Sequence, residues 1–206
     1  MNIFDRYYKR YDAWYDKNRF AYLSELEALR KVVPRKGKGL EIGVGTARFA
    51  APLGISSGID PAKKMVKIAR ERGVDAKVGS GENLPLKNSA FDYVAIIISL
   101  AFLKNPQKVL KEAKRVLRKK GKIIVAIVEK GSFLGRFYKK KKGVFYREAN
   151  FLSAGEVAKM LKGLGFGNFS YHQAIFSLPH KIKSVEEPRR GASPGGFVVI
   201  RASKEK

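Results

Sequence analysis

Two acidic residues flank a glycine turn in the first third of the chain, and together these residues could bind a nucleoside. Glu41 follows a short apolar run, Gly43 and Gly45 form the turn, and Asp60 ends the next apolar run. Glycines let a ligand approach the backbone closely, and an acid after the second strand can accept hydrogen bonds from two ribose hydroxyls. The spacing therefore predicts a βαβ unit that binds an adenosine-containing ligand.

Two common nucleotide-binding motifs do not fit the same turn. A dinucleotide fingerprint requires a third glycine for close packing of helix on strand, and Arg48 occupies that position. The chain also lacks the G-x-x-x-x-G-K-[ST] sequence of a phosphate-binding loop. A dinucleotide is therefore not the expected ligand, and neither is a nucleotide held by a phosphate loop.

The elements that must position these residues alternate between strand and helix. Apolar runs predict strands at 39–42, 56–59, 76–78, 92–98 and 122–128, with a final pair at 168–178 and 196–203. Helices are predicted after the glycine turn, from Pro61, after the N-cap Asn105 and from the capping box of Ser153 and Glu156. This alternation predicts an α/β fold with a doubly wound, mostly parallel sheet and helices on both faces.

Aromatic residues recur at helical spacing near the start of the chain. Residues 4–33 are expected to form one or two amphipathic helices, which Pro34 closes. Two interpretations stay open, because the helices could pack on the sheet as ordinary core elements or form a lid over the ligand. Residues 129–152 show few apolar repeats and are expected to form a long connection.

Composition narrows the class of protein further. The chain has 206 residues, of which 45% are hydrophobic, and this suits a single domain at 1–206. The absence of cysteine excludes disulfides, thiolate zinc sites, iron–sulfur clusters and a cysteine nucleophile. No secretory signal is recognisable, and the most apolar stretch, 93–103, is too short to span a bilayer. We therefore expect a cytoplasmic protein without a membrane span.

The net charge of +25 favours anionic partners such as nucleic acid, acidic substrates or a membrane surface. The lysines are spread along the chain rather than set in one stripe, which favours a solvated surface. Residues 136–142 combine aromatic residues with four lysines. This basic loop could hold RNA phosphates, an acidic small substrate or only solvent.

The turn E-x-G-x-G at 41–45, with Ala47 as a third small residue, resembles the first motif of class I S-adenosylmethionine (SAM)-dependent methyltransferases. Further similar stretches lie at 58–69, 79–86 and 91–125. The chain is most similar to the small-molecule type, in the ubiquinone and menaquinone C-methyltransferase-like group. The resemblance implies a Rossmann-like sheet of seven strands with the last one antiparallel, an N-terminal helical lid at 1–35 and a substrate-side insertion at 130–152.

The resemblance also implies SAM as cofactor, S-adenosylhomocysteine as product and no metal. Its implied cofactor-binding residues are Glu41, Gly43, Gly45, Arg48, Asp60, Pro61, Met65, Gly81, Glu82, Ser99 and Leu100. Its implied lid or substrate contacts are Tyr11, Trp14, Tyr15, Phe133 and Tyr146. Arg48 keeps two interpretations, a solvated residue or a partner of the SAM carboxylate. The chain departs from the family at Ser80, where an acid is frequent, and at Ala101, where a histidine is frequent.

The chain offers few bases for catalysis, and a methyl group on a sulfonium needs mainly a well-positioned nucleophile. A base is optional when the acceptor is an amine, a thiol or an acidified carbon. Glu129 after the fifth strand and His180 are the candidate catalytic residues, whereas His172 is expected to be structural. The identity of the catalytic residue stays open.

The leading expectation is a methyltransferase for a small-molecule acceptor, which could be acidic. One alternative is an RNA or protein methyltransferase that uses the basic loop at 136–142, although no Asn/Asp-Pro-Pro-aromatic motif follows the fourth strand. Another alternative is a SAM-binding protein without catalysis. Nucleic acid is thus the less favoured partner, and the oligomeric state stays open.

Overall fold

Eight strands form one continuous sheet in the computed structural model, which describes residues 3–141, 143–147 and 149–205. The strands are β1 (Gly39–Ile42), β2 (Ser57–Asp60), β3 (Asp75–Val78), β4 (Phe91–Ile97), β5 (Leu117–Val128), β6 (Phe166–Ala174), β7 (Arg189–Arg190) and β8 (Phe197–Lys204). Their spatial order is β3-β2-β1-β4-β5-β8-β6-β7. The first five strands in this order, from β3 through β2, β1 and β4 to β5, are parallel to one another. Strand β8 is antiparallel to both β5 and β6. The predicted Rossmann-like, mostly parallel sheet is confirmed.

Strand β7 is additional to the seven strands that were expected. It is a two-residue segment that pairs antiparallel with β6 at the sheet edge. Both of its residues are exposed and charged, so it carries no apolar alternation by which a strand is recognised. Its position inside a polar loop explains why the sequence did not indicate it.

Helices cover both faces of the sheet. They are α1 (Ile3–Arg6), α2 (Tyr8–Lys17), α3 (Arg19–Arg30), α4 (Lys63–Glu71), α5 (Pro106–Val116), α6 (Phe133–Lys141) and α7 (Ala154–Gly163). Apolar residues of α3 and α4 belong to the core on one face, and those of α5 and α7 belong to the core on the other. Successive residues of β4 alternate between these two cores, as the two-residue period of a strand requires.

The segment after β1 differs from the expected helix. Residues 46–54 form a series of turns, although the Ala51 N–H donates to the Ala47 carbonyl over 3.1 Å as in a helix. Gly45 and Ala47 both have positive φ, at 52° and 59°, and this conformation cannot begin a right-handed helix. Gly54 turns the chain again at φ 69°, so too few residues remain for a regular helix.

Two helix starts agree with their predicted caps. The Asn105 side chain accepts from the Lys108 N–H at 3.0 Å at the start of α5. Ser153 and Glu156 form the reciprocal capping box of α7, with Glu156 accepting from the Ser153 N–H at 2.7 Å. Local side-chain bonds of this kind are determined by neighbouring residues, so sequence alone is sufficient to locate them.

The connection at 129–152 contains a helix that the sparse apolar pattern did not predict. This helix is α6, and it buries Leu134 and Tyr138, which are four residues apart and share one face. The Ser132 hydroxyl accepts from the Gly135 N–H at 3.0 Å and caps its first turn. Most of the predicted basic loop is therefore helical, and Lys142 lies outside the described residues. Within the described chain no helix is both long and apolar enough to cross a membrane.

Candidate functional site

A cavity of about 860 Å³ opens at the carboxyl ends of β1, β2 and β4. This edge is where ligands bind in open α/β sheets. Of the predicted cofactor residues, those that line the cavity are Gly43, Gly45, Asp60, Pro61, Met65 and Ser99. The predicted βαβ ligand site and the cavity therefore coincide.

The two glycines of the turn have different roles. Gly43 has φ 76°, and a Cβ placed there would lie 2.5 Å from the Ser99 Cβ, so close packing against Ser99 requires glycine. Gly45 has φ 52°, but a Cβ there would find its nearest neighbours, Met65 and Tyr11, at 3.7 Å. Backbone at Gly45 is therefore open toward the cavity, as close approach of a ligand demands.

Asp60 is fixed by two backbone hydrogen bonds at the floor of the cavity. Its two carboxylate oxygens accept from the Gly45 N–H at 2.9 Å and from the Ala62 N–H at 2.8 Å. Burial raises the pKa of Asp60, and the bonds from Ala62 and Gly45 partly oppose that rise. Each oxygen of a carboxylate has about two lone pairs, so both can still accept a ribose hydroxyl.

Glu41 is a buried acid that forms no ion pair with any residue that the structure describes. Only 1% of the residue is exposed, and its Oε2 has no hydrogen-bond partner among the described residues. Burial and the neighbouring Asp60 carboxylate raise the pKa of Glu41 well above its usual range. Glu41 does not line the cavity but stands two residues before Gly43, so a water-mediated contact with a ligand ammonium group fits its position.

We expect SAM binding to release a proton from Glu41. A ligand ammonium near this carboxyl favours its ionised form and lowers its pKa, so we expect binding to release up to about one proton. Calorimetric titrations in buffers of different ionisation enthalpy measure that number. Glu41→Gln removes the titrating group and is expected to abolish the buffer dependence. An equal buffer dependence in the variant would assign the proton to another group.

Besides Glu41, four predicted cofactor residues lie outside the cavity lining. A Cβ on Gly81 would meet Ile42 Cγ2 at 2.6 Å, so this glycine serves packing against β1. Glu82 Oε1 accepts from the Asn105 N–H at 3.2 Å, and Leu100 is buried among core residues. The fourth, Arg48, is described below. Contacts of these four residues with the cofactor stay predictions.

Asp12 of α2 joins the N-terminal helices to the glycine turn. Its carboxylate accepts from Thr46 Oγ1 at 2.6 Å and from both Arg48 and Arg72 at distances of 2.7 to 2.9 Å. Burial raises the pKa of Asp12, but the hydrogen bonds from Arg72, Arg48 and Thr46 outweigh it and hold this pKa well below its usual range. The sequence did not indicate this network, because its members are up to 60 residues apart.

The guanidinium of Arg48 is occupied by α2. It pairs with Asp12 at 2.7 Å and with Asp16 at 2.8 Å, and it does not line the cavity. The side chain is only 16% exposed and is paired within the protein, so it is not a solvated residue, and its contact with the SAM carboxylate stays a prediction. Arg48 thus stabilises the position of α2 over the turn.

Aromatic rings roof the cavity, and only one of the predicted lid residues is among its lining. That residue is Tyr11, whose hydroxyl lies 2.8 Å from the Tyr15 hydroxyl. Burial raises the pKa of Tyr11 above its ordinary value, so its phenol stays protonated and can donate a hydrogen bond. The other four predicted lid residues belong to the hydrophobic core or pack against it, and they are Trp14, Tyr15, Phe133 and Tyr146.

Phe4 and Phe145 complete this roof, although the sequence did not single them out for it. Their rings stack at 5.5 Å, and Phe4 also contacts Phe102 at 5.1 Å and Tyr11 at 5.8 Å. Residues from three separate parts of the chain thus form the aromatic roof, which we define as Phe4, Tyr11, Phe102 and Phe145. Helical spacing indicated the N-terminal ring residues, but it could not show which of them face the cavity.

The two predicted catalytic residues are not brought to the cavity. Glu129 accepts from the Gly131 N–H at 3.1 Å and from the Ala154 N–H at 2.7 Å, where it caps α7. His180 is exposed in a short 3₁₀ helix, Pro179–Lys181. Neither residue lines the cavity, because the chain after β5 turns away into α6 before it returns. A catalytic role for either one has no support from this geometry.

A strained residue closes the wall of the cavity after β4. Ile98 has φ 62° and ψ −30°, which is an outlier for a β-branched residue. Its N–H donates to the Ala126 carbonyl at 2.8 Å, and the next residue, Ser99, donates its hydroxyl to the Ile42 carbonyl at 3.0 Å. These two bonds hold the strained turn, which directs the backbone at Ser99 against the glycine turn. Strain of this kind is concentrated at functional sites.

Comparisons with known proteins agree with this geometry. Residues 40–125 match the family model described as a methyltransferase domain. A solved SAM-dependent methyltransferase from Thermotoga maritima is 44% identical and superposes with a TM-score of 0.96 over 98% of this chain and 99% of its own. An uncharacterised protein of Methanocaldococcus jannaschii is 50% identical over 99% of this chain and 100% of its own. A demethylmenaquinone methyltransferase of Thermotoga maritima is 28% identical over 86% of this chain and 92% of its own.

Proposed function

Because this chain belongs to the class I SAM-dependent methyltransferases, we propose that it transfers a methyl group from SAM to a small-molecule acceptor by in-line displacement. The observation that carries the proposal is the aromatic roof over the cavity at the sheet edge. The volume of about 860 Å³ is within the range of about 300–1,000 Å³ that is typical of small-molecule sites. Cofactor and acceptor must share this space, so the acceptor must be small.

The site residues of this chain bind, orient and exclude water. SAM supplies a methyl group that its sulfonium has already activated. In this proposal, Gly45 leaves room for the ligand at the turn, the Asp60 carboxylate accepts the ribose hydroxyls, and Met65 contributes to the adjoining wall. Alignment of reacting groups can contribute up to about 7–11 kcal/mol, so a site built for positioning can suffice.

The charges of the cavity favour an acidic acceptor. Arg6, Lys104 and Arg147 are among its lining residues, and Asp60 is the acid among the described lining residues. The Thermotoga maritima structure is described as a possible histamine N-methyltransferase. Three cations would repel an ammonium group, whereas they would attract a carboxylate or another anion. We therefore favour an acceptor with an apolar part beneath the rings and an anionic group toward these cations.

Calorimetry and a turnover assay test the proposal together. We expect SAM and S-adenosylhomocysteine to bind at micromolar concentrations and NAD not to bind. In a screen of small acids and amines, we expect methylated product from an acid, with its KM raised about tenfold in Lys104→Gln. Lys119→Gln is the matched control, because Lys119 is exposed on β5 and does not line the cavity. Turnover of amines alone would contradict the acidic acceptor, and failure of SAM to bind would contradict the whole proposal.

An RNA or protein acceptor held by residues 136–142 is less favoured. Tyr138 is only 5% exposed, and Lys141 lies over the Phe137 ring at 5.5 Å. Neither ring face is therefore freely presented for stacking on a base. Steep salt-dependent binding of RNA, lost on removal of the lysines of α6, would reverse this preference. Binding without catalysis is disfavoured by membership of an enzyme family.

A further inference from the structure

A second cavity of about 650 Å³ lies beside β6, β7 and β8, at the opposite side of the sheet from β2 and β3. Its lining includes Lys31 just after α3, Ser170 and His172 of β6, Arg190 of β7 and Arg201 of β8. We call these five residues the basic cavity. It shares no residue with the cavity at the carboxyl ends of β1, β2 and β4, and the function proposed above makes no use of it.

Two buried polar atoms on one wall of the basic cavity have no partner. These are Ser170 Oγ and His172 Nδ1, and neither has a hydrogen bond within the described chain. The two residues are two positions apart on β6, so they share one face of the sheet. Ala174, two positions further on, belongs to the core beneath α3, which identifies that face. Buried polar groups are nearly always satisfied by protein, water or a bound ligand, so these two atoms are available to a ligand that enters the cavity.

Three cations surround these atoms without a neutralising acid. Arg201 on β8 is directly opposite Ser170, and Arg190 on β7 is directly opposite His172. Lys31 approaches from the end of α3. None of the three forms an ion pair with any carboxylate in the described residues. Burial lowers the pKa of His172, and Arg190, Arg201 and Lys31 lower it further, which reflects a concentration of positive charge.

We propose that the basic cavity binds the phosphate group of a small phosphorylated metabolite. Two guanidinium groups, an ammonium and a hydroxyl supply more donors than a single carboxylate can use, and they suit the oxygens of a phosphate dianion. Ser170 and His172 gain the partners that they lack. The cavity volume suits a small ligand rather than a long polymer, which would use a continuous groove.

The two histidines of the chain make the test direct. The protein is titrated with inorganic pyrophosphate at constant ionic strength, and the ring signals of His172 and His180 are followed by NMR across pH. A bound anion stabilises the protonated imidazole, so we expect the pKa of His172 to rise on binding. The charged groups that face it are Lys31, Arg190 and Arg201. His180 is exposed outside the cavity and is expected not to respond.

Three variants separate a built site from general attraction to a basic protein. Arg201→Gln is expected to weaken pyrophosphate binding by about tenfold or more, and Ser170→Ala by a smaller factor. Arg19→Gln removes the same charge from an exposed position at the start of α3 and is expected to leave binding unchanged. Unaltered S-adenosylhomocysteine binding by each variant verifies that it is folded.

Three results would overturn the proposal. They are an unchanged His172 signal at saturating pyrophosphate, equal weakening by Arg201→Gln and Arg19→Gln, or binding of an RNA oligonucleotide that is far tighter than that of pyrophosphate and displaces it. The third result would assign the basic cavity to a nucleic acid. Because the readout does not involve methyl transfer, failure here and failure of the proposed function can be told apart.

Discussion

Asp60→Ala is expected to weaken SAM binding by about a hundredfold, because the ribose would lose a carboxylate that can accept both of its hydroxyls. A hydrogen bond to a charged group contributes about 1.5–3 kcal/mol, so the loss of two is sufficient for this factor. Calorimetric titration with SAM and with S-adenosylhomocysteine measures the effect. The two ligands are expected to lose affinity in parallel, since they share the ribose.

Asp60 also holds the backbone of Gly45 and Ala62, so the experiment needs controls for folding. Asp60→Asn preserves the shape of the side chain, and its thermal midpoint shows whether the turn is intact. Asp75→Ala is the matched charge control, because Asp75 is exposed at the start of the neighbouring β3. A decrease in affinity of equal size in Asp75→Ala would mean that net charge, and not the ribose contact, governs binding.

Asp12→Ala is expected to lower the free energy of unfolding by about 2–4 kcal/mol at neutral pH. The substitution leaves Arg48 and Arg72 facing each other without the carboxylate that both contact, and it frees the Thr46 hydroxyl. Urea denaturation measures the loss. Asp16→Ala is the matched control, because Asp16 is 69% exposed and its partner among the described residues is Arg48, so we expect a loss below about 1 kcal/mol.

The contribution of Asp12 depends on pH in a definite direction. Its pKa in the folded protein is well below that in the unfolded chain, so the unfolded state binds the proton more readily. The stabilisation is therefore fully present above about pH 4 and is lost as the pH falls toward the folded pKa. The difference between the native protein and Asp12→Ala should become smaller when denaturation is repeated in acid. A constant difference would show that the loss comes from packing instead of charge.

The central part of the fold was predictable because its signals are local. The turn at Gly43 and Gly45, the acid Asp60 and the cap at Asn105 each depend on neighbours within a few residues. Short apolar runs located β1, β2 and β4 to within one residue for the same reason. The aromatic roof was only partly predictable, because helical spacing identifies an amphipathic face but not the segment that packs on it.

Residues that act over long separations in sequence were not predictable in this way. Asp12 meets Arg72 only once α2 has packed beside the end of α4. The position of Glu129 favoured a substrate contact, but its carboxylate caps α7, 25 residues later in the chain. Helix α6 was missed because only two of its residues, Leu134 and Tyr138, mark its buried face strongly. Tertiary packing decided each of these cases.

Different parts of the aromatic roof are held by contacts of different kinds, and this affects how ligands enter and leave the cavity. Ion pairs from Arg48 and Arg72 anchor α2, whereas Phe4 and Phe145 contact each other and their neighbours through ring packing. On the α1 side, Asp5 also accepts from the Lys64 N–H at 2.9 Å. This is a single exposed bond, whereas α2 is held by several ion pairs, so the α1 side should open before α2 detaches. We therefore expect ligands to enter and leave past Phe4, with a product release rate that is set by this ring stack.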